Sequence, residues 1–271
     1  MKKLLLLLLV ILSIAFGYTY AKDRTSVSPK PALLKQKFVL IRFALVADSH
    51  SDNELLRRAL EQAKGKGINF VVGLGDYTTI GTDEELLAAK LKFRNSKLEY
   101  YTIPGDHDLW DSRDKGEDPL QNYLDAFGDP NRVIERNGVK IILVDNSDNY
   151  KRITPGSWSM ATESLQKPAK LTFVMTHRTP FHPDSSHVMG ELNAQVARQA
   201  KELLKLMTKA KVDGFFAGDL HFFGQYKSED GKLKMTTVGA VTDDKNFQGP
   251  RFASVTVYDD YTWEVEDIEI R

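Results

Sequence analysis

The chain has no cysteine. That excludes a disulfide framework and a lipid anchor attached through cysteine. It also has no surplus of either charge, because 37 basic and 37 acidic side chains balance. Without a net positive field nothing holds nucleic acid non-specifically, and there is no broad attraction to an anionic membrane surface. No nucleic-acid partner is therefore expected. Internal repeats and low-complexity tracts are missing after residue 21. What is present is a chain of 271 residues, 42% hydrophobic, enough to bury a sizeable core as one large domain or two small ones.

The first 21 residues stand apart. Lys2 and Lys3 precede an apolar run, Leu4 to Phe16, and a small residue follows at Ala21. A basic start, an apolar middle and a small residue read as an export signal over 1–21. Thr19 stands where an alanine-like residue normally precedes the cut, and the run is borderline for spanning a bilayer, so an uncleaved anchor is the alternative. The absence of cysteine suits an exported bacterial protein. The expected location is periplasmic or extracellular, with membrane contact only through this segment. Residues 22–37 are polar with two prolines, Pro29 and Pro31, and read as a linker to a domain over 38–271.

From Phe38 on, short apolar runs alternate with helix signals. Residues 38–47 (FVLIRFALVA), 68–74, 98–103, 171–176 and 214–217 read as strands. Ser51 with Glu54 and Thr82 with Glu85 have the capping-box spacing and predict helices to about Lys64 and Phe93. Gly65 and Gly67 stop the first. A helix is expected near 120–127, and another over 191–208. Gly138 predicts a hairpin between 132–136 and 139–144. The tail, 234–270, alternates like antiparallel strands. The order implies an α/β domain with mixed sheets.

The polar residues at the strand ends carry the chemistry. Asp48, Asp76, Asp106, His177 and Asp219 each fall just past the C-terminal end of a predicted strand, where ligand sites form in α/β sheets. His50 and His221 follow two of them at the same Asp-x-His spacing. Hard oxygens and imidazoles converging from several segments are what two divalent metals need. Each Asp alone would more simply cap a turn, and each His alone would be a core histidine. It is the ordered set that favours ligation.

Quoted in order, the motifs are Asp48-Ser49-His50, Gly75-Asp76, Gly105-Asp106-His107-Asp108, His177 and Gly218-Asp219-Leu220-His221. This series resembles the calcineurin-like metallophosphoesterase family, from about Phe38 to the C-terminus. The resemblance implies a four-layer αββα sandwich, two mixed β-sheets face to face with helices outside. It implies that Asp48, His50 and His221 hold one metal, that Asp76 bridges, and that Asp106, His177 and Asp219 hold the second. His107 would bind the phosphate or protonate the leaving oxygen. The implied activity is hydrolysis of a phosphoester, mono- or diester, by a metal-bound hydroxide. A non-catalytic or weakly active metal-binding module is the alternative, and a nuclease is a second.

Three positions depart from the family's pattern. Asp106 replaces Asn, Asp219 replaces His, and Thr79 stands where a second Asp is usual. Four carboxylates would neutralise two divalent ions where the usual two leave a positive surplus. The expected cofactors are two divalent ions, Mn or Fe, with Mg or Zn as alternatives. Thr79 removes the carboxylate partner expected for His107, and it argues against the purple acid phosphatases, which place a Tyr there. Asp108 is expected to support its loop. His182 and His187 lie in a Pro-rich loop after His177. Arg178 and His182 are the candidate contacts for a small-molecule phosphoester, and Trp110 and Tyr123 are candidate pocket walls or core. The charge run 111–118 reads as a solvated loop, and no protein partner is inferable.

Overall fold

The computed structural model describes residues 36–271; the predicted export segment and most of the linker lie outside the described residues. Residues Phe38–Arg271 form one compact unit. Its strands are β1 (Val39–Val46), β2 (Phe70–Gly73), β3 (Glu99–Thr102), β4 (Arg132–Arg136), β5 (Val139–Leu143), β6 (Leu171–Thr176), β7 (Gly214–Ala217), β8 (Gly224–Lys227), β9 (Lys234–Thr237), β10 (Arg251–Tyr258) and β11 (Trp263–Glu269). The helices are α1 (Asn53–Gly65), α2 (Asp83–Ser96), α3 (Trp110–Asp114), α4 (Gln121–Phe127), α5 (Pro155–Gln166) and α6 (Ala194–Ala210). One sheet runs β11-β10-β1-β2-β3 and the other β4-β5-β6-β7-β9-β8.

The layers follow from the two-residue period of a strand. Phe43 and Leu45 of β1 face Phe173 and Met175 of β6 in a core between the sheets. Ala44 and Val46 point the other way, onto Leu56, Ala59 and Leu60 of α1 and Phe93 of α2. In the second sheet, Ile142, Val174 and Phe215 pack on α5 and α6 through Ala161, Val196 and Leu203. Strands buried on both faces read as near-continuous apolar runs, which is why FVLIRFALVA, interrupted only by Arg42, is legible as a strand. The expected four-layer αββα sandwich of two mixed β-sheets is the fold observed.

The parallel register positions the site. Val46 pairs with Gly73 and Gly73 with Thr102, so β1, β2 and β3 end side by side. Thr176 pairs with Ala217, so β6 and β7 do the same. Five loops therefore leave one end of the sandwich together.

Several expectations need correction. Helix α1 is capped by Asp52, whose side chain accepts from the Leu55 amide, not by Ser51. Ser51 instead donates to Glu85 across the loops, at 2.8 Å. The box at Thr82 and Glu85 is formed as expected. The last long helix starts at Ala194, because Asn193 accepts from the Gln195 and Val196 amides. The tail is not wholly antiparallel, since β9 pairs parallel with β7. Residues 111–114 of the charge run lie in helix α3, and Asp111 is paired with Lys115 and Asn122. Helix α5 and strand β8 escaped the sequence reading; α5 has a weak apolar period and β8 is half polar. The hairpin at Gly138 is present, with Asn137 and Gly138 at φ 52° and 80°, the left-handed pair of a tight two-residue turn.

Candidate metal centre

Each candidate ligand sits on a sharp loop just past a strand. Asp48, His50, Asp76, Asp219 and His221 all hold left-handed backbone, with φ of 54°, 42°, 55°, 68° and 57°. That conformation costs an L-residue about 1–2 kcal/mol, and it clusters here because the loops must turn each side chain back over the strand ends. Interlocking hydrogen bonds hold them. The Asp48, His50 and Ser51 amides donate to the Gly75, Asp76 and Tyr77 carbonyls at 3.0, 3.0 and 2.9 Å. The Asp219 amide donates to the Asp48 carboxylate at 3.1 Å, which ties the two sheets together at the site. Gly105 is required: a Cβ there would lie 2.0 Å from Asp76 Oδ1.

The seven predicted ligands come together in overlapping groups. Asp48, His50 and His221 form one, Asp48, Asp76 and His177 a second, and Asp106, His177 and Asp219 a third, with the offered ligand atoms of each group within 4.8 Å of one another. Asp76 faces both sides, with Oδ2 3.5 Å from His50 Nε2 and Oδ1 3.6 Å from His177 Nε2. That is the placement a bridging carboxylate needs.

Backbone carbonyls set the imidazoles. His177 Nδ1 meets the Leu74 carbonyl at 2.7 Å, His221 Nδ1 the Asp244 carbonyl at 3.0 Å, and His107 Nδ1 the Thr79 carbonyl at 2.7 Å. Only N–H can satisfy a carbonyl, so in the neutral ring Nε2 keeps the lone pair, as in a metal-ligating histidine. The Nε2 atoms of His50 and His221 lie 3.1 Å apart. His177 Nε2 is buried without a hydrogen-bond partner and lies 3.5, 3.6 and 3.7 Å from oxygens of Asp106, Asp76 and Asp219. A buried, orphaned nitrogen facing three carboxylates fits a cation ligand.

The electrostatics agree. Burial pushes the Asp76 carboxyl well above the usual range, and the neighbouring carboxylates of Asp106, Asp108 and Asp48 add to it despite His177. Burial likewise raises Asp48. Burial, His107 and His221 lower His50 to about 3, so it stays a neutral donor. Burial would lower His177 too, but Asp76, Asp106 and Asp219 more than offset it and hold the ring well above its usual range. Acids and bases crowded this way compete for positive charge, which two metal ions would supply.

The supporting residues are partly as expected. Asp108 is buried and accepts from Thr78 and the Gly105 amide, and burial raises it to about 6. Thr79 does not leave His107 unsupported: its backbone carbonyl orients the ring through Nδ1, without the charge that a carboxylate would add. Trp110 stacks on the His107 ring at 3.8 Å, while Tyr123 is core. The structure places the two candidate substrate contacts, His182 and Arg178, outside the lining of the cleft. His182 packs against Phe222 and Tyr226 and does not line the cleft over the centre; His187, from the same loop, does. Arg178 is 1% exposed, with Nε 3.4 Å from Asp219 Oδ2, and is buried beneath the centre instead of facing a substrate.

The cleft has a volume of about 230 Å³ and is lined by His50, Asp76, Asp106, His107, Ser185, His187, Asp219, Leu220, His221, Phe222 and Lys245. Sequence reasoning missed Asn149, Lys245 and Phe222. Asn149 donates to Asp106 Oδ2 at 2.8 Å. None of the three has a spacing signal; only Phe222, next to His221, could have been found by proximity. His187 bridges Asp219 and Glu191, and the hydrogen bond to Asp219 raises it to about 9.

The model of the calcineurin-like phosphoesterases matches residues 41–223. No curated protein matches the chain. Among solved structures it is similar to purple acid phosphatase PPD1 from yellow lupin (Lupinus luteus) seeds, at 13% identity and a TM-score of 0.62, over 86% of this chain and 52% of that one. It is also similar to TT1561 of Thermus thermophilus, at 12% identity and a TM-score of 0.55, over 86% and 100% of the two chains. A third is GAP50, the anchor in the inner membrane complex of Plasmodium, at 15% identity and a TM-score of 0.57, over 86% and 90%. The chain thus spans about half the length of the lupin enzyme. At such identities these structures share a fold with it, whereas the family match covers all five motifs. The chain belongs to the calcineurin-like phosphoesterase family.

Proposed function

We propose that this chain is an exported hydrolase of a small phosphoester that works with two divalent ions. The observation that carries the reading is the His177 Nε2 atom, buried, unpartnered and ringed by Asp76, Asp106 and Asp219, three carboxylates that line the cleft. Asp48, His50 and His221 would hold one ion, Asp106, His177 and Asp219 the other, with Asp76 between. Such ions lower the pKa of a water and neutralise phosphate oxygens.

The chain's own residues do the rest. Thr79 O fixes the His107 tautomer, so Nε2 is the nitrogen left to hold or deliver a proton to the leaving oxygen. Lys245 lines the cleft and supplies a cation for a phosphate oxygen. A 230 Å³ cleft admits a phosphoryl group and a small part of its ester. The balanced charge of the chain speaks against a nucleic-acid substrate. Two carboxylates in the second half-site favour a hard ion, manganese or iron, over zinc.

Metal-stripped protein reloaded with Mn²⁺ should hydrolyse an aryl phosphate monoester or diester. No turnover with Mn²⁺, Mg²⁺, iron or Zn²⁺ while two ions are bound would establish the non-catalytic module instead. Export rests on Lys2, Lys3 and the apolar run alone; N-terminal sequencing of the mature protein should find a start just after Ala21, an intact Met1 would replace cleavage by the uncleaved anchor, and recovery of the protein from the cytoplasm would overturn export.

A further inference from the structure

Arg178 is the largest fully buried side chain of the described residues, and it follows His177 directly. A guanidinium does not shed its proton, so its charge must be matched inside the protein. Its backbone is clamped first. The Arg178 amide donates to Asn146 Oδ1 at 3.0 Å, and its carbonyl accepts from Asn146 Nδ2 at 2.7 Å and Thr176 Oγ1 at 2.8 Å. The side chain then reaches beneath the centre. Nε lies 3.4 Å from Asp219 Oδ2, and one terminal nitrogen donates to Asn149 Oδ1. Asn149 passes the chain on, donating through Nδ2 to Asp106 Oδ2 at 2.8 Å.

The same oxygen is taken on both carboxylates. Oδ2 of Asp106 and Oδ2 of Asp219 are engaged by the Asn149–Arg178 bridge. Oδ1 of each faces His177 Nε2, at 3.5 and 3.7 Å, and Asp219 Oδ1 also meets His187 Nε2 at 3.2 Å. One continuous link, Asp106–Asn149–Arg178–Asp219, thus sets the rotation of two carboxylates that come from different sheets. We propose that Arg178 and Asn149 are positioning residues of the second half-site: they aim Asp106 and Asp219 at one point beside His177 and balance the charge of that carboxylate pair. The proposal rests on the reading that Asp106 and Asp219 ligate the second ion. It assigns Arg178 a role under the metal, not in contact with substrate.

Partners that orient metal ligands are worth about 10–100-fold in metal affinity. The test is a Mn²⁺ titration of metal-stripped full-length protein, followed by electron paramagnetic resonance. The wild type should bind two ions and give the spectrum of a spin-coupled pair. Arg178→Met should weaken the second ion about 10–100-fold, leave the first unchanged, and give the six-line spectrum of an isolated Mn²⁺ at the same loading. Asn149→Ala should act in the same direction, about tenfold, and decides the matter if Arg178→Met does not fold. Arg178→Lys keeps the charge but not the fork, and should resemble Arg178→Met. In an Asp106→Asn, Asp219→His background the bridge has no carboxylate pair to hold, so adding Arg178→Met should cost less than about threefold. Unchanged or tighter second-ion binding in folded Arg178→Met and Asn149→Ala would overturn the proposal while leaving the two-metal reading intact. A wild type that binds one ion would overturn both.

Discussion

The two halves of the centre use the same kind of loop but different chemistry. Around Asp48, His50 and His221 there are two imidazoles to one carboxylate, and the aromatic rings of His107 and Trp110 stack nearby. Around Asp106, His177 and Asp219 the ratio is reversed, an arginine and an asparagine engage Oδ2 of the two carboxylates, and His187 meets Asp219 Oδ1. The first half is therefore held by backbone turns and ring packing, the second by a buried polar network. The lesson is that a carboxylate-rich site needs counter-charge beneath it, because burial raises the cost of every unmatched ion.

The most severe way to probe the comparison is through the residue both halves share. Asp76→Asn should release both ions in elemental analysis and cut kcat by at least about a thousandfold, the upper end for losing one charge-stabilising group. Loss of a single ion would show that the halves are independent. His107→Ala belongs to the first half but lies outside its ligand set. It should lower kcat by about 10²–10⁴-fold with both ions retained. Loss of an ion would make His107 a ligand, which its place beside His50 and Asp76 also allows by distance.

A smaller effect is expected at Glu85. This carboxylate accepts from Ser51 Oγ and from the Thr79, Ile80, Gly81 and Thr82 amides, so it ties the loop after His50 to the loop that holds His107. Burial alone would raise its pKa, but those donors more than offset it and the group lies below its ordinary 4.5. A depressed carboxylate stabilises the fold above its unfolded pKa and loses that contribution as pH falls through the folded one. Glu85→Gln should cost about 1–2 kcal/mol at neutral pH, with the melting difference from wild type vanishing in acid. A pH-independent difference would mean the loss is one of shape. Least of all, Asp52→Ala should remove the α1 cap for about 1 kcal/mol in chemical denaturation, without changing the affinity of either ion.

The four-layer sandwich followed only from the family resemblance; the sequence by itself determined an α/β domain with mixed sheets and the seven candidate ligands. Both rest on local pattern: doubly buried strands are near-continuous apolar runs, and each ligand lies a residue or a few past the end of one. Asp108's supporting role was legible for the same reason, since it sits in the motif that it braces. The tertiary structure alone decided what surrounds the ligands. That Arg178 turns under the site, that Asn149 links it to Asp106, that His187 and not His182 lines the cleft, and that a Thr79 carbonyl orients the His107 ring all depend on contacts between distant segments. Backbone carbonyls have no signature in a sequence, and a buried arginine reads like an exposed one. The candidate ligands are local and could be read; their orientation and charge balance are non-local and could not.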